Sequence, residues 1–159
     1  MAHAVYVFDA YGTLFDVHAA VRRHSAGVGA DAQLLSDIWR QKQLEYSWVR
    51  ALMGRYEDFW VLTEQALDFA IRKVTSVDPA LRDRLLEAYR SLDCYPEIPK
   101  VLTALRDKGA RLAILSNGSP AMLESAAKSA GIADLFEEIV SVDEIRTYKT
   151  AEAVYELVA

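Results

Sequence analysis

Three polar clusters in this sequence each follow directly on an apolar run, and together they hold the side chains from which a small reactive site could be built. Asp9 ends the run Ala4-Val5-Tyr6-Val7-Phe8. Ser116 and Asn117 end the run Leu112-Ala113-Ile114-Leu115. Lys149 lies in the stretch after Ile139-Val140-Ser141-Val142. An aspartate is ionised at neutral pH at its ordinary pKa of about 3.9, and a nearby lysine favours that charge against desolvation, so Asp9 with Lys149 has the makings of a carboxylate nucleophile. Asp9 could equally cap a helix or close a turn, and Thr13 and Ser116 could serve only to satisfy turn backbone. Arg40 stands four and eight residues before Leu44 and Trp48, on one helical stripe. A cation there needs a partner, either an acid of the same layer or an anion brought from outside.

The elements that must position these groups follow from hydrophobic periodicity. Ala4 to Phe8 is a continuous β-branched and aromatic run, read as a buried parallel-type strand, with Gly12 in the loop after it. From about Val17 to Ser91 the spacing is helical: Leu44, Trp48 and Leu52 recur every fourth residue, and Phe59, Leu62, Ala66 and Phe69 at three to four. Asp78-Pro79 predicts a capped helix start leading through Leu81, Leu85, Leu86 and Tyr89. Pro99 to Lys108 predicts a helix stopped by Gly109, Leu112 to Leu115 a second buried strand, and Pro120 to about Gly131 a further helix. A third strand is expected near Ile139 to Val142, then a loop and a short helix from Tyr148 to Ala159. This order predicts an α/β fold, a parallel sheet flanked by helices with a helical block inserted after the first strand. Ligands of such sheets bind beyond the carboxyl ends of the strands, where Asp9, Ser116, Asn117 and Lys149 all fall.

Composition narrows the partners. A chain of 159 residues, 52% hydrophobic and 26% charged, can bury one sizeable core but hardly two independent ones. A net charge of −5, with no long run of Lys or Arg, gives no footprint for nucleic acid or an anionic membrane, and no apolar run reaches the length of a membrane span. A small-molecule substrate and a soluble, cytoplasmic protein are expected. The single Cys94 is read as a buried structural thiol, and His3, His18 and His24, at no metal-ligand spacing, as surface residues.

Asp9 followed by Gly12-Thr13, then Leu115-Ser116-Asn117-Gly118, then Lys149, resemble in order the first three motifs of the haloacid dehalogenase superfamily. The segment Trp39-Arg40-Gln41-Lys42-Gln43-Leu44-Glu45-Tyr46-Ser47-Trp48 through Leu52-Met53 resembles the cap of its (S)-2-haloacid dehalogenases. Phosphatases of the superfamily carry a second aspartate two residues after the nucleophile, where this chain has Tyr11. An alkoxide leaving group needs that acid and a halide does not. The same change removes a ligand for a hard cation, so no metal and no cofactor are expected.

The resemblance implies a Rossmann-like core from residues 1–16 and 95–159 and a helical cap subdomain from 17–94. It implies that Asp9 attacks C2 of a short (S)-2-haloalkanoic acid, expels halide and forms an aspartyl ester that water opens to the (R)-2-hydroxy acid. By the same resemblance Arg40 receives the halide, with Asn117 a second donor, and Thr13 orients Asp9. Ser116 binds the substrate carboxylate with the backbone near Ala10 and Tyr11, and Tyr11, Leu44 and Phe59 wall the alkyl pocket. Tyr155 falls near the nucleophile and Lys149. For Tyr11, Leu44 and Phe59, ordinary core or cap packing is an equal reading.

The family domain continues through two more strands and a fourth motif beyond the position of Ala159, and supplies from there a serine, an asparagine and an aspartate. The chain is therefore expected to be a fragment, with an open hydrophobic edge on its first strand. Thr150 replaces a proline usual after the lysine. A homodimer through the helices around Tyr46 to Phe69 is implied. The alternatives are a phosphatase of the same superfamily and a non-catalytic relative that only binds small carboxylates.

Overall fold

The computed structural model describes residues 4–159. Three parallel strands, β1 (Val5–Phe8), β2 (Arg111–Ser116) and β3 (Glu138–Ser141), form a sheet in the order β1-β2-β3. The register pairs Val7 with Ala113 and Ala113 with Glu138, which brings the carboxyl ends of all three strands to one rim. Strand β2, in the middle, is buried from Leu112 to Ser116. Strand β1 departs from the expectation of a buried strand: it lies at the edge with one neighbour, and Val5, Tyr6 and Val7 are exposed, which is the open hydrophobic edge also expected. Helices α6 (Ile98–Asp107) and α7 (Pro120–Ser129) lead into and out of β2, and α8 (Glu152–Glu156) follows the loop that carries Lys149. His3 lies outside the described residues.

Between β1 and α6 the chain makes a helical layer: α1 (Ala19–Arg23), α2 (Ser25–Val28), α3 (Ala32–Met53), α4 (Phe59–Lys73) and α5 (Arg82–Arg90), the last preceded by a 3-10 turn over Pro79–Leu81. Asp78 accepts a hydrogen bond from Ala80 N, as the Asp-Pro pair predicts. Helix α3, rich in strong helix formers, ends at Gly54, whose φ of 62° is the left-handed stop that glycine adopts without strain. Helix α4 starts at Asp58, whose carboxylate accepts from Trp60 N at 2.6 Å, and ends with Arg72 and Lys73 on its negative pole.

The buried face of α3 is not the stripe that spacing alone suggests. Leu35, Ser36, Trp39, Gln43 and Ser47 face α4 and the core, whereas Trp48 is half exposed and Leu52 is 89% exposed. The Leu44, Trp48, Leu52 stripe is rotated one residue from the core-facing stripe, toward the sheet rim and solvent.

The helical layer and the sheet are fastened at two places. The two connecting segments run side by side, Asp16 N bonding Asp93 O at 2.9 Å and Tyr95 N bonding Leu14 O at 3.0 Å. Just beyond them, His18 Nδ1 meets Ser36 Oγ in the first turns of α3 at 2.7 Å, so His18 is tied down and half buried. Past the far end of α3, the Tyr56 hydroxyl donates to Asp143 Oδ1 at 2.6 Å. Tyr148 accepts from Glu57 N at 3.0 Å and donates to Glu57 O. Cys94 is half buried rather than buried because it lies in the connecting segment; burial pushes its thiol up, with Asp93 and Glu97 adding.

Candidate active site

The loop after β1 is wound around one carbonyl. Ala10 O accepts from Thr13 N, Leu14 N and Phe15 N, and Gly12 completes the turn at a φ of 94°. Leu14 and Phe15 are wholly buried, each contributing about 1.5–3 kcal/mol, and fix the loop to the core. What this winding leaves facing out at the rim is the Asp9 carboxylate. A Cβ at position 12 would meet Arg40 Nη2 at 3.4 Å, so the glycine also leaves room for the guanidinium to come down onto the loop.

Lys149 comes from the loop after β3, its Nζ 2.8 Å from Asp9 Oδ1 and also donating to Leu115 O at the end of β2. The pair is partly covered, with 40% of the Asp9 side chain and 19% of the Lys149 side chain exposed. Asn117 fixes the lysine loop by accepting from Lys149 N at 2.8 Å through Oδ1, which turns its NH₂ group the other way. Ser116 is buried and its oxygen accepts from Gly118 N at 3.1 Å, as a turn hydroxyl does, leaving its hydrogen to donate. Thr13 Oγ1 donates to Asp9 Oδ2 at a long 3.4 Å.

Asp9, Tyr11, Arg40, Leu44, Phe59, Ser116, Asn117 and Lys149 all line one cavity of about 180 Å³, together with Trp48 and Thr150. Arg40 Nη2 donates to Tyr11 O at 2.7 Å. Among the described residues no carboxylate lies within 4.0 Å of it, so the salt bridge that would explain a cation on an apolar stripe is not made. Burial pushes the Tyr11 hydroxyl well above its ordinary value, and neighbouring Tyr89 and Asp9 add to that, so it stays neutral. No group of three His, Cys, Asp or Glu side chains able to hold a metal occurs among the described residues.

Two expected positions fall elsewhere. Ala10 is fully buried beneath the loop and does not reach the cavity wall. Tyr155 is half exposed on α8, outside the cavity: α8 packs Val154 against Leu115 and Val142, and the next residue, about 100° around the helix, turns to solvent. Trp48 was available to sequence reasoning, because it stands one turn after Leu44 on the stripe that begins with Arg40.

A fold of this order, with an aspartate at the end of β1 paired to a lysine from the loop after β3, has clear relatives. Residues 3–159 match the family model of the haloacid dehalogenase-like hydrolases, and the chain belongs to that family. It is 48% identical over 151 residues to (S)-2-haloacid dehalogenase 1 from Pseudomonas sp. (strain CBS-3), an alignment covering 94% of this chain and 66% of that protein. The chain thus spans about two thirds of the length of that curated relative. Among solved structures, a crystal structure of a dehalogenase superposes with a TM-score of 0.93 at 45% identity over 98% of this chain and 69% of the other. L-2-haloacid dehalogenase from Xanthobacter autotrophicus with chloropropionic acid covalently bound superposes at 0.87 and 41% identity, over 99% and 64%.

Proposed function

We propose that the protein hydrolyses short (S)-2-haloalkanoic acids to (R)-2-hydroxyalkanoic acids. The observation that carries this reading is a carboxylate paired to Lys149 across one small cavity from a guanidinium that has no carboxylate partner among the described residues. An Asp9 oxygen attacks C2 from the side opposite the halogen. The C2–O bond forms as the C2–halogen bond breaks, and the halide departs with the bonding electrons toward Arg40 and the Asn117 amide. Water then opens the ester at the Asp9 carbonyl, restoring the carboxylate and releasing a proton, so C2 is inverted once. Ser116 donates to the substrate carboxylate, Thr13 orients Asp9, and Tyr11, Leu44 and Phe59 enclose the alkyl group.

The chemistry of Tyr11 favours this over phosphate-ester hydrolysis, since a buried neutral phenol is a poor substitute for a carboxylic acid that must protonate an alkoxide. The curated relatives named (S)-2-haloacid dehalogenase support the substrate class and handedness. A cavity of about 180 Å³ fits an acid of a few carbons and is well below the size of pockets for larger ligands.

We read residues 17–94 as a cap subdomain over a core of 1–16 and 95–159. We also read the protein as a cytoplasmic homodimer paired through the face of α3 that exposes Trp48, Val49, Leu52 and Met53. No described helix is long and apolar enough to cross a membrane.

The test is halide release from each enantiomer of 2-chloropropionate without added metal, beside an Asp9→Asn control. Release from the (S) form alone, lost in the control, is the expected result. Release from neither by the folded protein, with hydrolysis of a phosphate ester on adding magnesium, would sink the reading.

A further inference from the structure

Ser141 closes β3 and stands opposite Ser116 in the β2–β3 register, so a hydroxyl residue ends each of two neighbouring strands. Ser141 is 8% exposed and does not line the cavity. A buried hydroxyl costs stability unless it is hydrogen-bonded, and an alanine would avoid that cost. Both halves of this hydroxyl are bonded. Its oxygen accepts from Asp143 N at 3.1 Å, and its hydrogen is donated to Gly118 O at 2.7 Å.

The first bond has a local explanation. Asp143 N is one of the donors that the start of the 3-10 turn Val142–Ile145 leaves without an acceptor of its own, and a serine just before such a turn caps it. Capping needs only the oxygen. The hydrogen reaches 23 residues back along the sequence, to the turn Ser116-Asn117-Gly118, which brings two side chains to the cavity wall.

That turn has little else to hold its last peptide. Glycine is the least restrained residue type, and among the described residues no backbone N–H donates to Gly118 O. Gly118 N donates to Ser116 Oγ at 3.1 Å, so the hydroxyls of the two facing serines hold Gly118 from either side. Asn117 lies between these two bonds, with its Oδ1 accepting from Lys149 N at 2.8 Å. A swing of the Gly118 peptide would therefore disturb the Ser116 hydroxyl and the Asn117 amide together. Ser141 itself is well anchored: Asp143, whose N–H it accepts, takes the Tyr56 hydroxyl on Oδ1 at 2.6 Å, the contact that ties this loop to the helical layer.

We propose that Ser141 is a positioning residue, whose hydroxyl locks the Gly118 peptide and thereby sets the Ser116 hydroxyl and the Asn117 amide at the cavity wall. That these two groups receive the carboxylate and the halide of a 2-haloacid rests on the function proposed above; the clamp itself does not.

Hydrogen exchange tests the clamp without any substrate. In Ser141→Ala the amides of Gly118 and Lys149, whose acceptors are Ser116 Oγ and Asn117 Oδ1, should exchange about tenfold faster than in the parent, while those of β2 and α7 stay protected. Ser141→Thr keeps the hydroxyl and should restore the parent rates at both. Unchanged exchange at Gly118 and Lys149, or equal acceleration throughout β2, would make Ser141 a cap alone and overturn the proposal. If Ser141→Ala does not fold, Ser141→Cys decides by the same measurement, since a thiol keeps the bulk but donates only weakly.

The second readout is the split between KM and kcat for (S)-2-chloropropionate. A hydroxyl that holds the substrate carboxylate does so in the ground state and the transition state alike, whereas Asp9 and Arg40 are held by other bonds. Ser141→Ala should raise KM about tenfold with kcat within about threefold of the parent, and Ser141→Thr should bring KM back. A fall in kcat at unchanged KM counts against the proposal. A parent that turns over no haloacid defeats the dehalogenase reading, and exchange at Gly118 and Lys149 still decides whether Ser141 is the clamp.

Discussion

Gly118 lies against the edge of the Tyr11 ring so closely that a Cβ at position 118 would stand 2.7 Å from Tyr11 Cε2 and 3.2 Å from a Leu123 methyl. The glycine of the second motif is thus a space requirement set by the tyrosine of the first. Gly118→Ala must move a ring that is stacked on Tyr89 on its other side, and overpacking of this kind costs about 1–3 kcal/mol. Urea denaturation should show a lower midpoint with an unchanged slope. A midpoint equal to the parent's would mean that the ring gives way freely and that the contact does not constrain Tyr11.

Asp58 caps α4 one residue before Phe59, a wall of the cavity. Asp58→Ala should lower unfolding free energy by about 1 kcal/mol through loss of the cap. Asp58→Asn should recover most of that, since the amide oxygen can still accept from Trp60 N. Equal losses in both variants would point to the charge rather than the hydrogen bond.

Asp16 links pH to stability. Burial alone would push its carboxyl up, but the Arg22 guanidinium at 2.6 Å and His18 N at 2.9 Å outweigh burial and hold it below the ordinary value. A carboxyl lowered on folding contributes stability that is full above the unfolded-state pKa of about 3.9 and is lost as pH falls through that value toward the folded one. Between pH 6 and pH 3, Asp16→Asn should flatten the acid limb of the stability curve by about 1 kcal/mol, given how exposed Arg22 is. Parallel limbs for parent and variant would refute the linkage.

Leu44 lines the cavity from the helical side. On the proposed function, Leu44→Ala should shift the ratio of kcat/KM for 2-chlorobutanoate over 2-chloropropionate upward by about tenfold, since a methylene in a closed apolar pocket is worth 1–3 kcal/mol. No change in that ratio would place the alkyl group elsewhere.

How far the sequence alone reached depended on the kind of signal. The strands β2 and β3 and the capped start at Asp78 were legible because each is a local pattern, an apolar run or a capping pair, that tertiary contacts left undisturbed. The rim cluster of Asp9, Ser116, Asn117 and Lys149 was legible through topology, since parallel strands deliver their carboxyl ends to one side. Arg40 showed itself as a charge out of place on an apolar stripe. What escaped were matters of phase and partnership. The spacing grouped Leu44, Trp48 and Leu52 in one apolar stripe of α3, while the true core stripe includes Gln43, whose partners come from α4 and α5, and Ser47, which donates back to Leu44 O. Tyr155 was placed by resemblance alone, and its position half exposed outside the cavity follows from the side of α8 that Val154 claims, which local pattern does not announce. The exposure of β1 depends on what lies beside it, which its own residues do not encode.

The double fastening of the helical layer has a mechanical consequence. Helix α3 carries Arg40 and Leu44 at the middle of its 22-residue length, above the Asp9 carboxylate. Had it been held only at its near end, where His18 beside the connecting segments meets Ser36, it would behave as a cantilever, and thermal bending would be largest toward Gly54. The phenols of Tyr56 and Tyr148 pin the far end as well, through Asp143 and the Glu57 peptide. A beam supported at both ends deflects several times less under the same load than one clamped at a single end. The guanidinium therefore rides at midspan of a propped girder whose outer support is the very loop that delivers the lysine.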